Sequence, residues 1–124
     1  IQGFGNVGGA AALLLHQAGA KVLAVSKGSG GIYNEQGLDI PALKVYAAEH
    51  QRNLVGFPGS QAVTNAELLA LPCDVLIPAA LENQITAENV DRVQASIVAE
   101  AANGPVSLEA DRALEKRGVL VLPD

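Results

Sequence analysis

Three glycines near the start of the chain restrict its fold more than any other feature. Ile1-Gln2-Gly3-Phe4-Gly5-Asn6-Val7-Gly8 places Gly3, Gly5 and Gly8 at the G-x-G-x-x-G spacing of a dinucleotide-binding turn. Gly3 permits a tight turn out of a strand. Gly5 lets a pyrophosphate approach the backbone, and Gly8 lets the following helix pack closely on the strand. The helix start then offers free N–H groups and a positive dipole end to an anion. Alone, this spacing is a weak signal, and a glycine-rich turn that binds nothing would satisfy it. Its context carries the weight. Val7, Ala10, Ala11, Leu14 and Ala18 recur at helical spacing, and Gly19 stands where a C-terminal cap belongs. Lys21-Val22-Leu23-Ala24-Val25-Ser26 then reads as a buried parallel strand. Strand, glycine turn, helix and strand follow within about thirty residues, as a βαβ unit requires.

The 124 residues suit one α/β domain, long enough to bury about two-thirds of the surface its unfolded chain exposes. The apolar share is 49%, yet the chain has only two tyrosines and two phenylalanines, a composition that suits helices packed tightly on a parallel sheet. A net charge of −5 without a basic cluster argues against nucleic acid as a partner. No apolar run approaches the eighteen or so residues of a membrane span. No signal peptide is recognisable, and the single Cys73 cannot form an internal disulfide, so the expected location is the cytoplasm. The chain holds no methionine. The motif leaves only Ile1 and Gln2 for a strand that should run about five or six residues. Val119-Leu120-Val121-Leu122 reads as a strand with no covering helix after it. The expectation is a piece of a longer protein, truncated at its first strand.

Further along, Lys27 to Gly31 reads as a glycine-rich loop at the ligand-binding edge of an open sheet. Ile32-Tyr33 adds a short extended segment. Asp39 caps a helix from Ile40 to about Glu49, with Pro41 in its first turn and Leu43, Tyr46 and Ala47 as its inward stripe. Gln51 to Gln61 reads as a loop. Thr64-Asn65-Ala66-Glu67 is a capping box, with Val63 and Leu68 as its hydrophobic staple. The helix it opens ends before Pro72. Asp74 to Pro78 is a buried strand that Pro78 terminates. Thr86 caps a helix to about Val93, and Ser96 to Glu100 is the next strand. Ala101 to Pro105 is a compact loop. Ser107 then caps a helix to about Arg117, closed by Gly118.

Other tempting residues have structural readings. Glu82 has no identifiable histidine or second carboxylate beside it, so a loop hydrogen bond is the reading for it, and for Asn83 and Gln84. His16 and His50 lie toward helix ends, where a cation is favourable, and show no metal-ligand spacing. Cys73 reads as a small packed residue. Asp91, Arg92, Glu115, Lys116 and Arg117 read as solvated helix faces.

Gly3 to Gly8, Gly30-Gly31-Ile32-Tyr33-Asn34, Gly37-Leu38-Asp39, Ile77-Pro78-Ala79-Ala80-Leu81-Glu82-Asn83-Gln84-Ile85 and Ala102-Asn103-Gly104-Pro105 together resemble the glutamate dehydrogenase family, with its leucine, phenylalanine and valine relatives. The likeness runs nearly the full chain and covers only that family's C-terminal, NAD(P)-binding domain. Residues 77 to 85 separate the chain from generic dinucleotide-binding proteins. The resemblance implies a Rossmann-like, doubly wound, mostly parallel sheet with helices on both faces. It implies reversible deamination of L-glutamate to 2-oxoglutarate and ammonia with NAD or NADP, in a homo-hexamer. The family's catalytic lysine and aspartate lie in a separate, earlier domain, and its substrate-carboxylate serine lies beyond Asp124. No catalytic residue and no metal ligand is therefore assigned to this chain. What remains is cofactor binding: Gly3, Phe4, Gly5, Asn6, Val7 and Gly8 at the pyrophosphate and ribose, Ser26 and Lys27 near the adenosine ribose, and Ala80 and Asn103 near the nicotinamide. For Asn103, a plain turn residue beside Gly104 is the competing reading.

Lys27 departs from the family pattern. An acidic residue about twenty positions past the glycines usually grips the 2′-hydroxyl of NAD. An ammonium in that place attracts a 2′-phosphate that a carboxylate would repel, which makes NADP acceptable and slightly favoured. A solvated loop lysine is the competing reading. For the whole chain, the alternative to a dehydrogenase domain is a non-catalytic dinucleotide-binding or sensing module.

Overall fold

Short apolar runs become the strands of an α/β fold with a mixed sheet in the computed structural model, which describes residues 1–28 and 30–123. Strands β1 (Ala24–Lys27), β2 (Gly30–Tyr33) and β3 (Gln61–Val63) pair antiparallel in that order. Strands β4 (Val75–Leu76), β5 (Ile97–Ala99) and β6 (Leu120–Leu122) pair in parallel. Gln2 joins the two sets, bridging in parallel to Ser26 on one side and to Pro78 on the other. Its N–H donates to the Ile77 carbonyl at 2.9 Å and its carbonyl accepts from Ala79 N–H at 2.8 Å. The first extended segment thus contributes one bridging residue at the middle of the sheet.

Successive strand residues point to opposite faces, and β1 shows the consequence. Ala24 belongs to one core, with Leu68 and Leu69 of α3 (Asn65–Leu69) and Ala110 and Leu114 of α4 (Leu108–Lys116). Val25 belongs to the other, with Ala12 of α1 (Asn6–Gln17) and Ile40, Leu43 and Ala47 of α2 (Ile40–Glu49). Two cores therefore lie on the two faces of β1. Ile85 and Leu114 in one and Ile32, Ile40 and Leu43 in the other are 0% exposed. Each such side chain contributes about 1.5–3 kcal/mol relative to an exposed one. The parallel half has one bare face, where Val75 and Leu120 flank Ile97 in register and remain 44% and 53% exposed.

The helix caps form as their sequences dictate. Asp39 Oδ1 accepts from Ala42 N–H, and Ser107 Oγ accepts from Ala110 N–H. Thr64 and Glu67 complete a reciprocal box, with Thr64 N–H donating to Glu67 Oε1 at 2.8 Å and Glu67 N–H to Thr64 Oγ1 at 3.1 Å. The backbone bond from Thr64, then the one with its side chain, hold the Glu67 carboxyl below its usual pKa. Gly19 and Gly118 follow their helices at φ 91° and 76°, the left-handed geometry of a helix stop.

Several sequence expectations are corrected. Lys27 to Gly31 is not one loop, because Gly30 and Gly31 are paired in β2; Ser29 lies outside the described residues. A Cβ on Gly31 would sit 3.0 Å from both Ser26 Cβ and the Val25 carbonyl oxygen, so this tight pairing selects glycine in a strand. Gln61 belongs to β3, an edge strand of three residues. Residues 86–93 form only a 3₁₀ turn, Val90–Arg92, rather than a helix. The side chains divert the backbone there: Asn89 Oδ1 accepts from Thr86 N–H, Thr86 Oγ1 accepts from Glu88 N–H, and Asn89 Nδ2 donates to the Gln84 carbonyl. Arg117 is more than a solvated charge, since its guanidinium donates to the carbonyls of Val90 and Val93. In α1, Gly8, Gly9 and Ala12 face inward, while Val7 and Leu14 are 55% and 65% exposed. The contact at Gly8 is too close for a larger residue, so the periodic apolar side chains turn outward.

Candidate glycine-turn site

Gly3, with φ 108°, turns the chain out of the sheet at the carboxyl ends of the parallel strands. Its N–H donates to the Ser26 carbonyl at 3.0 Å and approaches Ser26 Oγ at 3.3 Å. A Cβ at Gly3 would lie 2.9 Å from the Ala79 carbonyl oxygen, and one at Gly8 would lie 2.0 Å from the carbonyl oxygen of Gly3. Two of the glycines are therefore required by backbone packing. Gly5 differs: a Cβ there meets nothing within 4 Å among the described residues. It caps α1 in place of a side chain, and no acidic residue occupies the first turn. The first N–H groups of the 12-residue helix α1 have no intrahelical acceptor, and no side chain caps them at Gly5. The arrangement suits an anion held by backbone N–H groups.

The remaining sequence-predicted residues fall around this turn, on different terms. Phe4 is buried between α1 and α2, with Lys44 Nζ 5.7 Å from its ring centroid, so it anchors the turn from below. Asn6 and Val7 are exposed at the helix start. Ser26 is 2% exposed and turned toward the Gly3 N–H, while Lys27 ends β1 half-buried. Ala80 follows the Ala79 contact and is exposed. Asn103 is exposed beside Gly104, whose φ is 52°. The segments carrying these two residues are tied together, because Asn83 N–H donates to the Gly104 carbonyl and Ala101 N–H to the Pro78 carbonyl. The fold thus gathers the glycine turn, the end of β1, residues 79–84 and residues 101–105 along one sheet edge.

Gln2, outside the set expected from sequence, is 2% exposed. Its Nε2 donates to Asn65 Oδ1 at 2.9 Å and to Gln84 Oε1 at 2.7 Å. A polar residue directly before the first glycine, on a strand with helices over both faces, was the available signal.

No group of three or more His, Cys, Asp or Glu side chains among the described residues is placed to hold a metal. A cleft of about 950 Å³ lies at the opposite edge of the sheet, lined by Val22, Cys73 and Val75 among others. Burial pushes the Cys73 thiol pKa up, which disfavours the thiolate. No helix among the described residues is long and apolar enough to cross a membrane.

Residues 1–124 match the family model described as glutamate/leucine/phenylalanine/valine dehydrogenase. The whole chain is 52% identical to part of an NADP-specific glutamate dehydrogenase of Synechocystis, covering 31% of it. It is 50% identical to part of the catabolic NAD-specific glutamate dehydrogenase RocG of Bacillus subtilis, covering 29%. Among solved structures, the hetero-hexameric glutamate dehydrogenase of Thermus thermophilus in its leucine-bound form superposes with a TM-score of 0.90 at 35% identity. That match covers 100% of this chain and 29% of that one. The chain thus spans about a third of the length of the relatives it matches.

Proposed function

The chain belongs to the glutamate/leucine/phenylalanine/valine dehydrogenase family, and on that premise we propose that it is the family's nicotinamide dinucleotide-binding domain. Its fold is then of the Rossmann-like, doubly wound class, with ligand binding where the chain leaves the middle of the sheet in opposite directions. One observation carries the reading: Gly3 and Gly8 are demanded by packing, whereas Gly5, at the N-cap of α1, is bare of neighbours among the described residues. Ser, Thr, Asn or Asp would cap α1 as well as glycine does, but only glycine leaves the position bare for a pyrophosphate.

The residues present fit a dinucleotide. The N–H groups at the start of α1 would hold the pyrophosphate, with Asn6 and Val7 beside it. Ser26 and Lys27 would border the adenosine ribose, and Ala80 and Asn103 the nicotinamide. When bound, the nicotinamide supplies the hydride acceptor or donor for oxidation of an amino acid to its 2-oxo acid. This chain's part is to bind, to orient the ring and to exclude water as the enzyme closes against its other domain. The catalytic groups, L-glutamate as substrate, the hexameric assembly and a cytoplasmic location belong to the proposed whole protein. Either cofactor is compatible with the family, since the relatives include NADP-specific and NAD-specific enzymes. Lys27 tilts the reading toward NADP.

The test is an assay of the protein with its flanking coding sequence. Glutamate-dependent reduction of NADP or NAD is expected, and leucine, valine and phenylalanine should be poorer substrates. Cofactor binding without turnover of any of the four amino acids would instead identify a sensing module.

A further inference from the structure

We propose that Gln2 and Gln84 form a carboxamide link that sets the nicotinamide side of the cleft relative to the glycine turn, acting as positioning residues that do not touch the ligand. The inference rests on the dinucleotide-binding reading above and deepens it.

The link is visible in how residues 79–84 are held. At one end, Ala79 N–H donates to the Gln2 carbonyl at 2.8 Å. At the other, Gln84 Oε1 accepts from Gln2 Nε2 at 2.7 Å. Ala80 lies between these attachments, so a single residue immediately before Gly3 grips the segment twice. Gln84 then extends the tie. Its Nε2 donates to the Glu82 carbonyl at 3.1 Å, and its N–H donates to the Pro105 carbonyl at 2.7 Å. Asn83, held at a φ of 51° that non-glycine residues seldom adopt, donates its N–H to the Gly104 carbonyl. The loop bearing Asn103 is thereby referred to the same glutamine.

The second bond from Gln2 Nε2 reaches Asn65 at the start of α3. Gln2 Oε1 has no donor among the described residues, so only the two donated bonds there orient this carboxamide. A buried polar group left partly unpaired in a native core calls for an explanation, because an apolar side chain would fill the same space without that penalty. Alignment of a binding segment supplies one, since supporting bonds of this kind lock the residues that face a ligand.

The experiment uses the protein with its flanking sequence and the variants Gln84→Met and Gln2→Met, which keep side-chain length and remove the hydrogen bonds. Affinities are measured for NAD and for ADP-ribose, which lacks the nicotinamide. Each variant is expected to weaken NAD by about tenfold while ADP-ribose stays within about twofold, the scale of one lost orienting bond. The double variant should lose no more than the larger single, because both remove one link. Gln84 is only half-buried, so its variant remains informative if Gln2→Met folds poorly. Equal weakening of both ligands, or an unchanged NAD to ADP-ribose ratio with a lowered Tm, would overturn the link while leaving the dinucleotide reading intact. Failure of the folded wild-type protein to bind NAD, NADP or ADP-ribose would remove both.

Discussion

Gly8→Ala and Gly5→Ala separate packing from ligand access at the glycine turn. A Cβ on Gly8 falls 2.0 Å from the Gly3 carbonyl oxygen and 2.7 Å from its carbon, the first contact about 1 Å short of any approach that real side chains make. The obstacle is backbone, anchored by the Gly3 N–H bond to Ser26, so α1 must lift off the sheet. Overpacking of this kind costs about 1–3 kcal/mol, and glycine to alanine inside a helix returns up to about 1 kcal/mol. With backbone unable to yield, the upper end applies and a net loss of about 2 kcal/mol is expected. For a domain of this size that lowers Tm by about 8 °C. Gly5 has φ −82° and open space around its Cβ position, so alanine there costs only the difference between the two residues as an N-cap, about 0.5–1 kcal/mol. Its methyl group would nevertheless stand where the pyrophosphate approaches, and dinucleotide affinity should fall by about tenfold or more. Thermal melts followed by circular dichroism, with cofactor titration of each variant, read both effects. Equal melting losses for the two variants, or wild-type binding by Gly5→Ala, would refute the reasoning.

Four further outcomes follow from the structure. Lys27→Asp should shift the NADP to NAD affinity ratio toward NAD by about tenfold at low salt, with a smaller shift at high salt, as competitive titration of the two cofactors would register. Thr64→Ala should cost about 1 kcal/mol, seen as a lower denaturant midpoint. The Glu67 carboxylate is favoured by folding, so its contribution is fully present above the unfolded-state pKa and disappears as pH falls through the lower folded-state value. The stability advantage of wild type over Glu67→Gln should accordingly shrink across that acid window and stay flat at neutral pH. Cys73, half-buried and with its thiol pKa raised, should react with a maleimide more slowly than a free thiol at neutral pH, and unfolding should remove the difference.

Local chemistry made much of the fold legible in the sequence. Asp39, Thr64 with Glu67, and Ser107 each cap the helix they were expected to open, because a cap needs only residues within one turn of itself. Gly19 and Gly118 stop their helices for the same reason. Departures arise where distant partners decide. Gly30 and Gly31 carry a loop signature, yet β1 and β3 recruit them into a strand. Thr86 resembles a cap, but Asn89 spends its side chain on Thr86 and on Gln84. The outward turn of Val7 and Leu14 follows from the backbone contact at Gly8, which no periodicity records. At the site, the glycine spacing is readable because the turn and the start of α1 lie within one short stretch, where Gly8 answers the Gly3 carbonyl. Gln2 was not, since its partners are 63 and 82 positions away.

The most direct test of the account is a calorimetric titration of the protein, with its flanking sequence, against NAD and separately NADP. Saturable one-to-one binding of at least one cofactor, weakened by Gly5→Ala in a variant that melts near the wild-type temperature, is the predicted result. A folded wild-type protein that binds neither cofactor would contradict the assignment of the glycine turn.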